Sequence, residues 1–286
     1  AKHILVGNGA AELINVLGLY LTGKVAVALP TFNEYVRCFR NCELIKIDNS
    51  QWDYSHNLQK LVEYTKTADC LMVVNPDNPS GYLLSKEEVI TLAQAAKENN
   101  CRLVIDESFV DFAVKDRRYT LLDNEILDKY DNLIVVKSIS KSYGVPALRL
   151  GVLATSDEKT IAELRSLMQV WNINSFAEYY LQIYNIYAKD YSKACDKIAD
   201  ERTRLIKELR KIDGIKVYDS QANFVMVDLG KRSSYDFCVN MLDKHNVLIK
   251  DLSSKNYFGG KNFIRVAVRN AEDNDKLIKG IKKELL

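Results

Sequence analysis

The sequence predicts an α/β protein: a mostly parallel sheet with helices on both faces, followed by a smaller α+β unit. Two observations carry that reading. The first half repeats a short run rich in Val, Ile and Leu, then a turn, then a longer segment with helical periodicity. Those short runs are apolar on both faces, as strands covered by helices on both sides must be. A chain of 286 residues holds one large or two medium domains, and 47% apolar residues with only four prolines and twelve glycines argue for a packed core over a disordered or collagen-like chain.

In chain order, residues 24–29, 44–47, 70–74, 102–105, 133–136 and 150–154 read as buried parallel strands. Helices over 11–21, 33–41, 57–65 and 85–99 alternate with them, and Ser85 with Glu88 three residues on is a capping-box signal. From about Asp157 the pattern changes to long charged helices, one running to Lys189 and one over 191–209. Strands at 215–217 and 224–227, a helix over 235–244, strands at 247–249 and 263–268 and a helix over 272–285 complete the chain. This divides it into a large domain over 1–160, connecting helices over 161–212 and a small domain over 213–286. The helix at Ala11 starts so early that the large domain is expected to open with it, with structure missing upstream.

Forty Lys and Arg against 38 Asp and Glu leave a net charge of +2, too balanced for a nucleic-acid binder. The apolar runs are short, and no charged region followed by an apolar stretch opens the chain, so a cytoplasmic enzyme without a membrane partner is expected. Of the six cysteines only Cys38 and Cys42 are close, without a second pair or a nearby His, so neither a disulfide scaffold nor a metal site is expected. His3, His56 and His245 stand alone and receive no role.

Four stretches point to chemistry. The turn Gly7-Asn8-Gly9-Ala10-Ala11-Glu12 puts small residues at a helix start, where free N–H groups either cap the helix plainly or receive a phosphate; its spacing is neither a P-loop nor a dinucleotide fingerprint. Asp106 follows the strand 102–105 at the edge where open parallel sheets place ligands. It suits Mg²⁺ in a nucleotide hydrolase, a protonated ring nitrogen of a cofactor, or plain solvation, and the absence of a Walker lysine loop counts against the first. Lys141, after the strand 133–136 and eight residues before Arg149, is either part of a charged surface loop or an amine able to form a Schiff base, with hydroxyls and a guanidinium nearby for a phosphate. Residues 75–81, Asn-Pro-Asp-Asn-Pro-Ser-Gly, are a turn sequence that also brings the Asn78 amide to the edge shared by Asp106 and Lys141.

The runs GNGAAE (7–12), LPTFNEY (29–35), NPDNPSG (75–81), DESF (106–109) and SISKSYGVPALRLG (138–151) resemble, in order and spacing, the fold type I pyridoxal-phosphate (PLP) dependent aminotransferases of class I/II. Within them the chain is most similar to the histidinol-phosphate aminotransferase and threonine-phosphate decarboxylase branch, from residue 7 to its end. The resemblance implies that Lys141 is the Schiff-base lysine and proton shuttle, that Asp106 keeps the pyridine nitrogen protonated, that Asn78 bonds the phenolic oxygen and that Phe32 stacks on the ring. The cofactor phosphate would meet the backbone of Ala10 and Ala11 with Ser138, Ser140 and Arg149. Arg265 would hold the substrate carboxylate as a planar fork, the bland reading being a surface charge. Asn174, in a run that matches the family near the site, would line it, or simply cap a helix.

Three departures stand out. Phe109 replaces a tyrosine that commonly donates to the phenolic oxygen, which implies altered tuning of the cofactor. Lys250 stands where the branch often has an arginine contacting a substrate phosphate, and Arg269 where many aminotransferases have glycine; both are expected at the substrate. The family's upstream segment is absent, which implies a trimmed or fused catalytic region with a possible upstream domain.

The function this implies first is PLP-dependent transamination of a small phosphate- or phosphonate-bearing amine or amino acid, with a keto acid as acceptor. The alternative is decarboxylation of an amino-acid phosphate such as L-threonine O-3-phosphate, decided by which bond at Cα stands perpendicular to the ring. A regulatory scaffold is disfavoured by the presence of Lys141. A homodimer is expected, because related active sites draw residues from both subunits.

Overall fold

The computed structural model describes residues 2–255, 257–258 and 262–285. It begins with a strand that the sequence reading did not anticipate, β1 (Ile4–Asn8), ahead of the helix α1 (Ala10–Tyr20). Five residues with alternating burial at a sheet edge give too short a pattern to stand out. There follow β2 (Lys24–Leu29), α2 (Asn33–Cys38), β3 (Glu43–Asp48), α3 (Leu58–Thr65), β4 (Cys70–Val74), α4 (Lys86–Glu98), β5 (Arg102–Asp106), α5 (Asn124–Lys129), β6 (Leu133–Ser138), α6 (Ile139–Ser142) and β7 (Leu150–Ala154). Ser85 caps α4 in a full capping box with Glu88.

The seven strands run in the order β1-β7-β6-β5-β4-β2-β3. β2, β3, β4, β5 and β6 pair in parallel, whereas β7 is antiparallel to both β6 and β1. Strand β7 was expected to be parallel. The connection from β6 is residues 139–149, too short for the helical crossover that a parallel neighbour needs. Strand β1 therefore points the same way as β6, and the carboxyl ends of β1, β2, β4, β5 and β6, with the start of β7, share one edge. One face of the sheet packs Val25, Val27, Met72, Val104 and Val136 against Leu13, Leu17 and Leu164, and the other packs Ala26, Leu71, Val73, Leu103 and Val135 against Leu61, Leu92 and Ala93.

Helices α7 (Glu158–Ser166) and α8 (Ser175–Leu209) lead to a second sheet. The sequence suggested a break near 190; the structure has one 35-residue helix, because no Gly or Pro interrupts 175–209, and puts the break at 167–174, where Trp171 has φ 56°. Strands β8 (Lys216–Val217) and β9 (Phe224–Asp228), helix α9 (Ser234–His245), strands β10 (Lys250–Asp251) and β11 (Phe263–Ala267) and helix α10 (Ala271–Leu285) follow. The antiparallel sheet has the order β10-β11-β9-β8. A strand was expected at 247–249; ladder bonds form instead where Lys250 and Asp251 meet Arg265 and Ile264. One face of this sheet, with Val225, Val227, Ile264 and Val266, packs on α8, α9 and α10. The opposite face carries Phe224, Met226, Phe263 and, by strand alternation, Arg265, and it turns toward the first sheet: Phe263 packs with Tyr54, and Phe224 with Phe109. Buried Arg202 of α8 reinforces that junction by donating to the carbonyls of Phe112 and, at 3.0 Å, Ala222. No helix among the described residues is long and apolar enough to cross a membrane.

Candidate active site

The shared strand edge and the turned face of the second sheet form one cleft. Asp106 ends β5, buried, with both carboxylate oxygens held. Its Oδ2 accepts from the Tyr35 hydroxyl at 2.7 Å, and its Oδ1 accepts from the Ser108 backbone N–H at 2.9 Å and from the Ser108 hydroxyl. Ser108 Oγ in turn accepts from the Ser138 backbone N–H at 2.9 Å, which ties the ends of β5 and β6 together. Burial and the neighbouring Asp106 push the Tyr35 phenol well above its usual range, so it stays a donor.

Asn78, buried in the turn after β4, accepts from Arg265 Nη1 at 2.6 Å through its Oδ1. That bond fixes the amide orientation and leaves its NH₂ as the donor side. The Arg265 guanidinium lies 4.7 Å from the Phe224 ring centroid, and Phe224 meets Phe109 edge to face at 5.0 Å. Across β10 and β11, Lys250 is the direct partner of Arg265, so two cations share one face.

Lys141 in α6 extends into the cleft with Nζ 4.7 Å from the Phe32 ring centroid and 4.9 Å from that of Phe109. Loss of hydration there pushes its amine below the usual lysine value; Arg265 and Arg149 add repulsion, and Asp106 opposes them. The residue as a whole is exposed along the cleft wall, so solvent screens part of these effects.

Beside it lies a cup of donors. Helix α1 begins at Ala10 after Gly9, with no side chain capping its first turn. The acid of that turn, Glu12, is turned back onto the Asn8 N–H at 2.6 Å and Asn172 Nδ2 at 3.3 Å. The Arg149 guanidinium lies so near that a Cβ on Gly9 would meet Nη2 at 2.6 Å, and a Cβ on Gly151 would strike the Ala10 nitrogen. Ser140 is buried and accepts from the Leu150 N–H at 2.6 Å.

Of the residues expected from sequence, Phe32, Asn78, Asp106, Lys141 and Arg265 converge in the cleft, with Lys250 beside Arg265, and Ala10, Ala11, Ser138, Ser140 and Arg149 surround the cup. Asn174 caps α8, accepting from the Ala177 N–H at 2.9 Å, and donates to the Leu148 carbonyl at 3.0 Å, which steadies the turn before Arg149. Arg269 is a correction: it lies past the end of β11, its Nε bonded to Asp273 at 2.7 Å on the surface, and is not brought to the cluster. The reading missed Tyr35 and Ser108. Tyr35 had a signal, standing three residues after Phe32 and therefore on the same side of a helix start; Ser108 lay within DESF.

These donors and acceptors fit pyridoxal phosphate. The cup presents an uncapped helix start and a guanidinium to a phosphate, Asp106 offers an anchored acceptor to a ring N–H, and Asn78 offers an NH₂ to a phenolic oxygen.

Comparison with known proteins agrees. The family model for aminotransferase class I and II matches residues 1–281. An L-serine phosphate decarboxylase of Sulfurospirillum multivorans is 34% identical over 99% of this chain and 74% of its own length. A histidinol-phosphate aminotransferase of Clostridium novyi is 33% identical over 98% of this chain and 76% of its own. The solved structure of a decarboxylase from Sulfurospirillum multivorans superposes with a TM-score of 0.90 at 32% identity, covering 100% of this chain and 82% of that one.

Proposed function

The chain belongs to the aminotransferase class I and II family, and from that premise we propose that it is a PLP-dependent decarboxylase of a small phosphorylated amino acid, with L-serine phosphate as the substrate to try first. When bound, pyridoxal phosphate supplies an electron sink for the bond pair released at the substrate's Cα.

The observation that carries the reading is the pair Arg265 and Lys250, side by side across β10 and β11, with Arg265 fastened to Asn78. A guanidinium fork reinforced by an ammonium suits a phosphate dianion better than a lone carboxylate. Arg265 is tied to Asn78, the residue expected at the phenolic oxygen, so it would sit beside that oxygen of a bound cofactor. With the phosphate in that grip, the substrate carboxylate would be left free of Arg265, as its loss as CO₂ would require. In this reading the Cα–carboxylate bond would break with release of CO₂, and Lys141 would return a proton to Cα. Asp106, anchored by Tyr35 and Ser108, would hold the ring N–H.

Transamination is the second reading, the first choice from sequence, and the Clostridium novyi relative supports it. In that case Arg265 would grip the substrate carboxylate, Lys141 would remove the Cα proton and a keto acid would complete the cycle.

Cofactor-loaded protein given O-phospho-L-serine without any keto acid separates the two. Repeated turnover with CO₂ and ethanolamine phosphate in equal amounts supports decarboxylation. A single equivalent of keto product without CO₂ overturns it in favour of transamination.

The expected partner is a second copy of the chain. Support comes from Val170, Trp171, Phe176 and Ile186, all strongly exposed in the N-terminal half of α8 and in the segment before it.

A further inference from the structure

We propose that Lys255 is a ligand of the substrate phosphate and sets the preference for phosphorylated over unphosphorylated amino acids; this rests on the phosphorylated-substrate reading above.

Lys255 stands in the turn after β10, its backbone N–H bonded to the Leu252 carbonyl at 2.9 Å, and Leu252 is itself held to Phe263 of β11. From there its side chain crosses to the first sheet. Nζ donates to the Thr31 carbonyl and, at 2.9 Å, to Asn33 Oδ1. Those two residues flank Phe32.

The charges around this ammonium are out of balance. Both of its hydrogen-bond acceptors among the described residues are neutral, and among these residues nothing accepts from its third N–H. Its own half-burial, reinforced by Arg265 and Lys250, lowers its proton affinity to a pKa of about 8, and the acid that counters them is Asp77. Asp77 is buried, with Oδ2 bonded to Ser80. Arg265 and Lys250 face each other as direct cross-strand partners, an arrangement that like charges disfavour. Lys255, Arg265 and Lys250 thus stand against Asp77 and, beside Lys250, Asp251, which leaves the cluster with an excess of positive charge. A phosphate monoester, carrying about −1.5 to −2 at neutral pH, neutralises that excess; a hydroxyl or a methyl group does not.

The placement also has a mechanical side. A phosphate bonded to Lys255 and Arg265 joins the turn after β10, strand β11 and the segment 31–33 in one network. Recognition of the phosphate then steadies Phe32 where it flanks Lys141.

The test is the affinity of the cofactor-loaded protein for O-phospho-L-serine, L-serine and inorganic phosphate, measured by calorimetry on the wild type, Lys255→Gln and Lys255→Arg. Gln keeps an N–H for the Thr31 carbonyl and removes the charge. We expect Lys255→Gln to weaken O-phospho-L-serine and inorganic phosphate by about tenfold or more while changing L-serine by less than about twofold, and Lys255→Arg to recover most of the loss. An equal loss for L-serine and its phosphate assigns Lys255 a structural role and overturns the proposal. So does Lys255→Gln affinity matching the wild type, which leaves the reading of the substrate intact. If the wild type binds no phosphorylated ligand, that reading falls and this proposal falls with it.

Discussion

The hydroxyl of Tyr35 and the carboxylate of Asp106 are joined at 2.7 Å across 71 positions of sequence, inside the molecule, where neither side chain reaches solvent freely. The bond fixes the rotation of the carboxylate at the end of β5, and it does so from α2, the helix that begins directly after Phe32. The residue expected on the cofactor's face and the one expected at its nitrogen are thereby set by one short stretch of chain. Replacing Tyr35 by Phe removes the donor and leaves a buried carboxylate oxygen short of a partner. Stability should fall by about 1–3 kcal/mol, and cofactor affinity on the order of tenfold. Urea denaturation and equilibrium dialysis with pyridoxal phosphate check both, and unchanged affinity refutes the anchoring role.

Lys141→Ala should separate folding from chemistry. Its side chain is exposed in the cleft, so stability should shift by no more than about 0.5 kcal/mol. Borohydride treatment of the cofactor-loaded wild type should fix the cofactor on the peptide containing Lys141, as read by mass spectrometry. The variant should show neither that adduct nor turnover; adduct and activity surviving in Lys141→Ala exclude the assignment.

Arg202 is 1% exposed, and its hydrogen-bond partners among the described residues are the carbonyls of Phe112 and Ala222 and the side-chain amide of Gln221. Burial, with Arg118 adding repulsion, lowers its pKa to about 10, and the fold tolerates the charge because it joins the α8 helix to the segments carrying Phe109 and Phe224. Arg202→Ala opens a cavity and orphans those acceptors. A loss of about 3–5 kcal/mol in denaturant unfolding is expected, and a loss below about 1 kcal/mol contradicts this account.

The Lys255 ammonium, facing Asp77, Arg265 and Lys250, has its pKa lowered from 10.5 to about 8. Between those two values the unfolded chain holds a proton that the folded chain has released, so this residue makes stability rise with pH across that window and contributes no slope below it. Affinity runs the other way. The charge needed to hold a phosphate is complete below about pH 8 and lost above it, so the dissociation constant of O-phospho-L-serine should climb on the alkaline side in the wild type relative to Lys255→Gln. Parallel pH profiles for the two proteins argue against it.

Trp171 is 96% exposed and Phe176 78% exposed, an apolar surface of the kind that a second subunit covers. Sedimentation equilibrium should report a dimer at micromolar concentration, and Phe176→Glu should shift it toward monomer. A monomeric wild type removes the support for a second subunit.

Much of this was legible in the sequence because it depends on local rules. Ser85 and Glu88 announced α4, the doubly apolar runs announced β4 and β6, and the motifs at strand ends placed Asp106, Asn78 and Lys141 on one edge before any contact was known. What escaped depends on partners distant in sequence. The short alternation in β1 becomes a strand only beside β7, the direction of β7 follows from the short link before it, and α8 is continuous because nothing within it breaks a helix. Arg269 was expected at the substrate from its place in the family motif, yet it lies beyond the strand, within reach of Asp273. Lys255 is anonymous in sequence, and its meaning comes from Thr31 and Asn33, more than two hundred residues earlier.

Helix α8 is also a lever. Its 35 residues make a rod about 50 Å long. One end, through Asn174, grips the Leu148 carbonyl next to Arg149, and the other, through Leu205 and Leu209, is embedded beneath β9 and β11. A one-degree tilt of such a rod moves its far end by about 1 Å. The turn that carries Arg149 and the sheet that carries Arg265 are thus fastened to the two ends of one rod, so a substitution that loosens either end should disturb both.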